Sequence, residues 1–158
     1  MTPLFPIGVL IVAWFLSAIP LPFEYQIYWP LWLALSAFWF ALYAPRFMGV
    51  VIAWFLGLSL DLLLGAPLAS YAFGLALSVY LAGLFRLRLR HLTWSQQILM
   101  AAAFCWITLQ GAVWVRWLSG GQGNPLLSTV TACVSGLVWP LVSLSLNRIA
   151  RRFSVESV

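Results

Sequence analysis

The acidic residue Asp61 has the clearest capacity for chemistry, because it is the only acid inside an apolar run. That run extends from Gly49 to Gly65 and reads GVVIAWFLGLSLDLLLG. An ionised carboxylate in an apolar environment is costly, so such a residue usually has a function or a partner. Arg116, in a later apolar run, is predicted at matching depth and is the natural partner. The sequence leaves open a structural ion pair or a contact with a ligand, a proton or a partner protein.

Other residues that support catalysis or metal binding are sparse. The single histidine, His91, has no cysteine, aspartate or second histidine near it in the sequence. A Ser–His hydrolase would need a histidine at the depth of its serine. Cys105 and Cys133 lie within apolar runs, where a thiol behaves as a small apolar group. We therefore expect no enzyme, no metal site and no cofactor.

Composition predicts a membrane protein. Hydrophobic residues make up 64% of the chain and charged residues 7%, whereas soluble domains carry roughly 25% charged residues. A spanning helix needs about 20 apolar residues, so the chain has room for about six spans and no separate soluble domain. The net charge of +5 comes from arginines whose positions indicate topology, not nucleic-acid binding.

The apolar runs predict an all-α polytopic membrane helix bundle, a single transmembrane domain over residues 1–158. Thr93 and Gln96 have the spacing of a capping box, and Asn124 followed by Pro125 predicts a further helix start. The six predicted spans are 6–22, 29–44, 47–64, 67–85, 95–118 and 125–146.

The positions of the arginines predict the orientation. Six spans put both termini on one side of the membrane, together with the loops after spans two and four. Seven of the eight arginines then fall on that side, at positions 46, 86, 88, 90, 148, 151 and 152. By the positive-inside rule, that side is the cytoplasm. The run Arg86, Arg88 and Arg90 forms a basic patch there, which either only fixes the topology or also binds anionic lipid or a protein.

Small residues predict close packing between spans three and four. On an α-helix, residues four apart lie on one face. Span three repeats small residues at this spacing on either side of Asp61, and span four repeats them after the turn. The residues expected at this contact are Gly49, Ala53, Gly57, Gly65, Ser70, Gly74 and Ser78.

Spans one and two are bulky and aromatic instead. We expect them at the periphery of the bundle, against lipid or against the helix of a partner protein. The aromatic residues expected to dock such a helix are Trp14, Trp32 and Trp39.

Several segments in this order and spacing resemble the MreD family, small integral membrane proteins that determine rod shape in bacteria. The resemblance covers residues 28–118. It rests on Tyr28-Trp29-Pro30, on the GLSLDLLLG segment 57–65, on Ser70-Tyr71-Ala72 and Tyr80-Leu81, and on Arg86-Leu-Arg-Leu-Arg90 followed by Trp94-Ser-Gln96-Gln97. The turn Ala66-Pro67-Leu68-Ala69 departs from the family pattern, in which a further glycine is expected.

The resemblance implies a non-enzymatic scaffold of the cell-elongation machinery in the bacterial inner membrane. Its implied partners are the single-span protein MreC, the actin-like MreB, and a RodA-type glycosyltransferase with its transpeptidase. A homodimer is left open. The resemblance also implies a bundle like the substrate-binding subunits of energy-coupling-factor transporters, with Gly57, Asp61 and Gly65 as family positions. The alternative is a small-molecule-binding or transporter subunit with an outward-facing cavity around Asp61.

Overall fold

Helices make up the regular structure of the part of the chain that the structure describes. This computed structural model describes residues 4–19, 22, 25, 28–89 and 91–154, so the prediction for Arg90 falls outside it. No strand occurs in these ranges. The helices of twelve residues or more are α1 (Leu4–Ala18), α2 (Trp32–Tyr43), α3 (Val50–Leu64), α4 (Ser70–Leu89), α5 (Trp94–Leu118) and α6 (Pro125–Ser154).

The predicted starts of the last two long helices are confirmed by their capping contacts. The Thr93 N–H donates to Gln96 Oε1 over 3.1 Å at the start of α5. At the start of α6, the Leu126 N–H donates to Asn124 Oδ1 over 3.0 Å. These side chains satisfy backbone groups that have no partner within the first turn of a helix.

The last helix is longer than predicted, since α6 ends at Ser154 and not at residue 146. Its final turns have two faces, with Leu146 and Ala150 buried and Arg148 and Arg151 exposed. A helix with one apolar and one charged face can continue past the apolar span.

The turn between α3 and α4 uses two residues with left-handed backbone conformations. Gly65 ends α3 with φ 61°, and its N–H bonds to the Asp61 carbonyl. Ala69, just before α4, has φ 72° and is the one non-glycine residue with positive φ among those described. This conformation costs an alanine about 1–2 kcal/mol. The position therefore suits the further glycine that the family pattern led us to expect in this turn.

The aromatic helix α2 lies at the centre of the bundle. Every residue from Leu33 to Leu42 is buried, and α2 contacts α1, α4, α5 and α6. The Phe38 ring centroid lies 4.8 Å from that of Phe104 and 4.8 Å from that of Trp139. The prediction of a peripheral second span is therefore wrong.

The reason is that a helix apolar on all sides fits the interior of a protein as well as it fits lipid. Twelve residues span about 18 Å, well short of the roughly 30 Å hydrocarbon core. The three tryptophans expected at the periphery follow the same correction in part. Trp39 is 1% exposed and donates to Asn147 Oδ1 over 3.0 Å. Trp14 and Trp32 are half-buried, and Trp14 Nε1 donates to Ser59 Oγ on α3.

Glycines bring α3, α4 and α5 close together. A β-carbon built on Gly57 of α3 would lie 2.6 Å from the Ala72 nitrogen, and one on Gly74 of α4 would collide with the Thr108 carbonyl oxygen. A β-carbon on Gly111 of α5 would lie 2.7 Å from the Gly74 Cα. Such close approach is what small residues permit between membrane helices. The other residues predicted at this contact and found buried are Ala53, Ser70 and Ser78.

Two of the predicted contact residues do not pack against a helix. A β-carbon on Gly49 or Gly65 would meet nothing within 4 Å. Both glycines lie at the ends of α3, where Gly49 is the N-cap and Gly65 the C-cap. The repeat of small residues at every fourth position thus includes two glycines that cap the helix and do not belong to the contact between helices.

The helices differ in their capacity to cross a membrane. By length and composition, the segments Ser70–Arg88, Trp94–Leu118 and Pro125–Arg152 could each cross one. The segments Pro6–Ala18, Trp32–Tyr43 and Val50–Leu64 are apolar but shorter. The described residues thus form a helical membrane protein, while the six-span topology stays a prediction.

Candidate functional site

Asp61 caps the start of the helix that follows its own. The Tyr71 N–H donates to Asp61 Oδ1 over 2.8 Å, and the Ala72 N–H donates to Oδ2 over 3.2 Å. These amides lie in the first turn of α4, where a helix has no backbone acceptors of its own to offer. The residue before α4 is Ala69, which has no side-chain acceptor. A carboxylate from α3 therefore supplies the cap, and it also lies favourably at the positive end of the helix dipole.

The predicted Asp61–Arg116 pair takes a different form. Asp61 is fully buried and directs both carboxylate oxygens to backbone amides. The Arg116 guanidinium lies over the Tyr71 ring, with Cζ 5.5 Å from the centroid. Arg116 is close enough to act on Asp61 through its charge. Tyr71 thus lies between the two, bonded to Asp61 by its backbone and covered by Arg116 on its ring.

A cavity of about 780 Å³ opens beside Arg116. Tyr71, Arg116 and the 122–124 segment of the α5–α6 loop line its outer part, while Gly57, Leu75 and Thr108 line it further inside. The helices alternate in direction, so this end of the bundle is opposite to Arg46 and Arg86. The sequence predicted a cavity around Asp61, but the lining residue with a charge is Arg116.

Two residues of this region were missed by sequence reasoning. Tyr71 connects Asp61 to Arg116, yet no sequence pattern marked its side chain. Gly111 forms the close contact with Gly74, and it lies alone in a helix whose other residues on that face are larger. The role of the Tyr71 amide could have been inferred from Ala69. Because Ala69 has no side chain that can cap α4, the first amides of that helix need an acceptor from elsewhere.

The basic patch lies at the end of α4, away from the cavity. Arg88 is exposed, and Arg86 is half-buried with an Nε that has no hydrogen-bond partner among the described residues. Arg90 is not described. A role for this patch in binding lipid or protein stays a prediction.

A shallow apolar groove runs between α1 and α3 on the outside of the bundle. Its volume is about 290 Å³, and Leu10, Ile11, Trp14, Ile52 and Leu56 are among its lining residues. Ile11 and Ile52 are exposed, by 49% and 43% respectively. The apolar periphery expected on spans one and two is thus exposed on α1 but not on α2, and the groove lies between α1 and α3.

Cysteines and potential metal ligands lie apart from the cavity. Cys105 is buried and Cys133 is exposed, and both are free thiols. Within the described ranges, no three residues among His, Cys, Asp and Glu come together as a metal site would require.

Comparison with known proteins places this arrangement in a family. The family model described as "rod shape-determining protein MreD" matches residues 2–149. A relative named rod shape-determining protein MreD, from Haemophilus influenzae, is 29% identical over 146 residues. The alignment covers 92% of this chain and 90% of the relative. No solved structure gives a significant match. Because the family model covers nearly the whole chain, the protein belongs to the MreD family of rod shape-determining proteins.

Proposed function

We propose that this protein is a non-enzymatic scaffold of the cell-elongation complex in the bacterial inner membrane, which it crosses several times. Its membership of a rod shape-determining family carries this proposal. The relative from Haemophilus influenzae bears the same name and aligns over 90% of its length. The described residues form a bundle of apolar helices, three of which are long enough to cross a membrane. Such a bundle acts on cell shape by holding other proteins in position.

The surface for a partner helix is the groove between α1 and α3. It is lined by apolar side chains and by Ser59, and its lining runs from Ile7 to Trp14 on α1 and from Ile52 to Ser59 on α3. It therefore extends for about 10 Å along each helix, which is enough to receive about two turns of the transmembrane helix of a single-span protein. Helices in a membrane associate by close van der Waals packing, because lipid is as apolar as the side chains. A preformed groove offers more packing than a convex helix surface. The partner for this groove is MreC.

The other proposed partners contact parts of the bundle outside the groove. Arg86 and Arg88 lie at the cytoplasmic end of α4 in the proposed orientation, close to where the membrane-bound MreB filament would run. The RodA-type glycosyltransferase and its transpeptidase complete the proposed complex. Because the groove is assigned to MreC, these two enzymes would contact other faces of the bundle.

Copurification with matched groove variants tests the scaffold. Ile52→Trp fills the groove, while Val130→Trp places the same side chain on α6, at a residue that is also 43% exposed. Overpacking a contact costs about 1–3 kcal/mol, so we expect Ile52→Trp to recover roughly tenfold less MreC than the wild type. Val130→Trp should recover the wild-type amount. Equal recovery by both variants would rule out the groove, and no recovery by the wild type would end the scaffold proposal.

A second candidate function is a small-molecule-binding subunit, and the cavity beside Arg116 is the observation that favours it. Its volume of about 780 Å³ lies within the usual range for small-molecule sites, roughly 300–1,000 Å³. The centre of such a site would be Arg116 in place of Asp61, because the Asp61 carboxylate is already bonded to two amides.

A further inference from the structure

The charge that faces the cavity is a cation that acts on Asp61 through its charge but forms no direct ion pair with it. Arg116 is the only charged side chain among the described residues that line it. Its Nε is buried and has no hydrogen-bond partner within the described part of the chain. Among the described residues, the acid of this region is Asp61, which is held by the amides of α4. Buried polar groups usually have partners, so an unpartnered guanidinium nitrogen indicates that an acceptor comes from beyond the described residues.

The charge of the guanidinium favours an anion as the acceptor. A cation–π contact with Tyr71 holds the guanidinium over the ring, since Cζ lies 5.5 Å from the ring centroid. A guanidinium presents paired N–H donors that match phosphate and carboxylate oxygens. Gln122 and Asn124 line the same outer part of the cavity and carry further amide groups.

The inner part of the cavity is mainly apolar, and the Thr131 hydroxyl that also lines it donates to the Leu127 carbonyl over 3.2 Å. Leu60, Leu75, Leu109 and Ala112 line it below Arg116. Thr108 is eight residues before Arg116 on α5, so the cavity extends inward from the guanidinium by about 12 Å. The hydroxyl of Thr108 is already used, because it donates to the Phe104 carbonyl over 3.0 Å. The charge thus lies near the mouth and the apolar wall lies deeper.

We infer that this cavity binds an anionic amphiphile, with a phosphate or carboxylate on Arg116 and an apolar chain directed inward among the lining residues of α2, α3, α5 and α6. An outer-leaflet phospholipid and a free amphiphile share this chemistry. The site deepens the second candidate function. It is independent of the groove between α1 and α3, whose readout is recovery of MreC.

Binding to the purified full chain in a neutral maltoside detergent tests the site. The probes are decyl phosphate, decanol and inorganic phosphate, titrated by calorimetry. Hydrogen bonds to a charged group and the apolar chain should both contribute, so we expect decyl phosphate to bind about ten- to a hundredfold more tightly than either other probe. Equal binding of inorganic phosphate, or of decanol, would overturn the amphiphile assignment.

Three variants locate the binding. Arg116→Gln should weaken decyl phosphate binding about ten- to a hundredfold, because the charged donor is lost. Arg46→Gln is the control, since Arg46 is an exposed arginine at the other end of the bundle and does not line the cavity. It should bind as the wild type does. Ala112→Leu keeps the charge and narrows the apolar part, so it should also weaken binding. Unchanged binding in Arg116→Gln or in Ala112→Leu would overturn the site.

Lipid nanodiscs identify the source of the anion. After extraction, native mass spectrometry should show phosphatidylglycerol retained by the wild type and lost from Arg116→Gln if the ligand is a phospholipid. Binding of decyl phosphate without retention of phosphatidylglycerol would support a free amphiphile. Equal retention of zwitterionic phosphatidylcholine by the wild type and by Arg116→Gln, together with unchanged decyl phosphate binding in the variant, would overturn the inference.

Discussion

At the scale of single residues, Asp61 shows how a bundle satisfies a buried charge without an ion pair. Two backbone amides bind its oxygens at 2.8 and 3.2 Å. These contacts connect α3 to the start of α4, so the carboxylate sets the angle at which the second helix leaves the turn. The same contacts leave Arg116 free to line the cavity.

Replacing Asp61 by asparagine should destabilise the protein more than removing the charge of Arg116. The asparagine side chain would keep one acceptor oxygen but turn an NH₂ group towards an amide N–H. Loss of a helix cap costs about 0.5–2 kcal/mol, so we expect Asp61→Asn to lower the free energy of unfolding by about 1–2 kcal/mol. The measurement is tryptophan fluorescence during titration of maltoside-solubilised protein with dodecyl sulfate.

The comparison variant is Arg116→Gln, alone and combined with Asp61→Asn. If Asp61 is a cap, the Arg116 change should cost less, and the two losses should nearly add. A direct ion pair would be identified instead if Arg116→Gln lowered the free energy of unfolding as much as Asp61→Asn does, and if the double variant showed no loss beyond that of either single variant.

Sequence reasoning found the acid but not its partners. Asp61 was identified because charge is rare in this chain, and the structure places it in the last turn of α3. The partners were missed because they are backbone amides, which no residue type reveals. The turn from Ala66 to Ala69 indicated that α4 needs a capping acceptor from another helix, since none of these four residues can cap a helix.

At the scale of helices, apolar composition does not distinguish the protein interior from the lipid. Both surroundings accept the side chains of α2, so its aromatic residues could not indicate that it is central. Length was the better guide, since only fourteen residues separate Pro30 from Pro45, and twelve of them are helical. Close packing was predictable at Gly57 and Gly74, where a small residue faces a backbone. It was not predictable at Gly111, which stands alone.

Two glycines of α4 separate helix packing from helix propensity. A β-carbon on Gly74 would collide with the Thr108 carbonyl, whereas one on Gly83 would meet nothing within 4 Å. Gly74→Ala should therefore lower the free energy of unfolding by about 1–3 kcal/mol, as overpacking does. Gly83→Ala should leave it unchanged or raise it by up to about 1 kcal/mol, because alanine favours the helix. Dodecyl sulfate titration of both variants measures the difference, and equal effects would contradict the close contact.

At the scale of the whole molecule, most of the described arginines and the opening of the cavity lie at opposite ends of the bundle. The described arginines other than Arg116 lie at one end of the bundle or in the tail of α6, and the cavity opens at the other end. In the proposed orientation, the basic end meets anionic lipid in the cytoplasm and the cavity faces outward. The helices α1, α2 and α3 are short, but the assignment of the two bundle ends to opposite sides does not depend on them. It depends on α5, whose 25 residues separate the turn before it from the turn after it.

Labelling of single cysteines in those two turns tests the orientation. His91 and Gln122 are exposed residues before and after α5, and α5 is about 37 Å long, more than the roughly 30 Å hydrocarbon core. In a background with Cys105→Ala and Cys133→Ala, Gln122→Cys should react with a membrane-impermeant maleimide in intact cells. His91→Cys should react only after the inner membrane is permeabilised. Reaction of both from outside would show that α5 does not cross, and reaction of His91→Cys alone would reverse the orientation. The reversed orientation would place Arg116 and its cavity where no outer-leaflet lipid could reach them, because Gln122 lies at the mouth of the cavity.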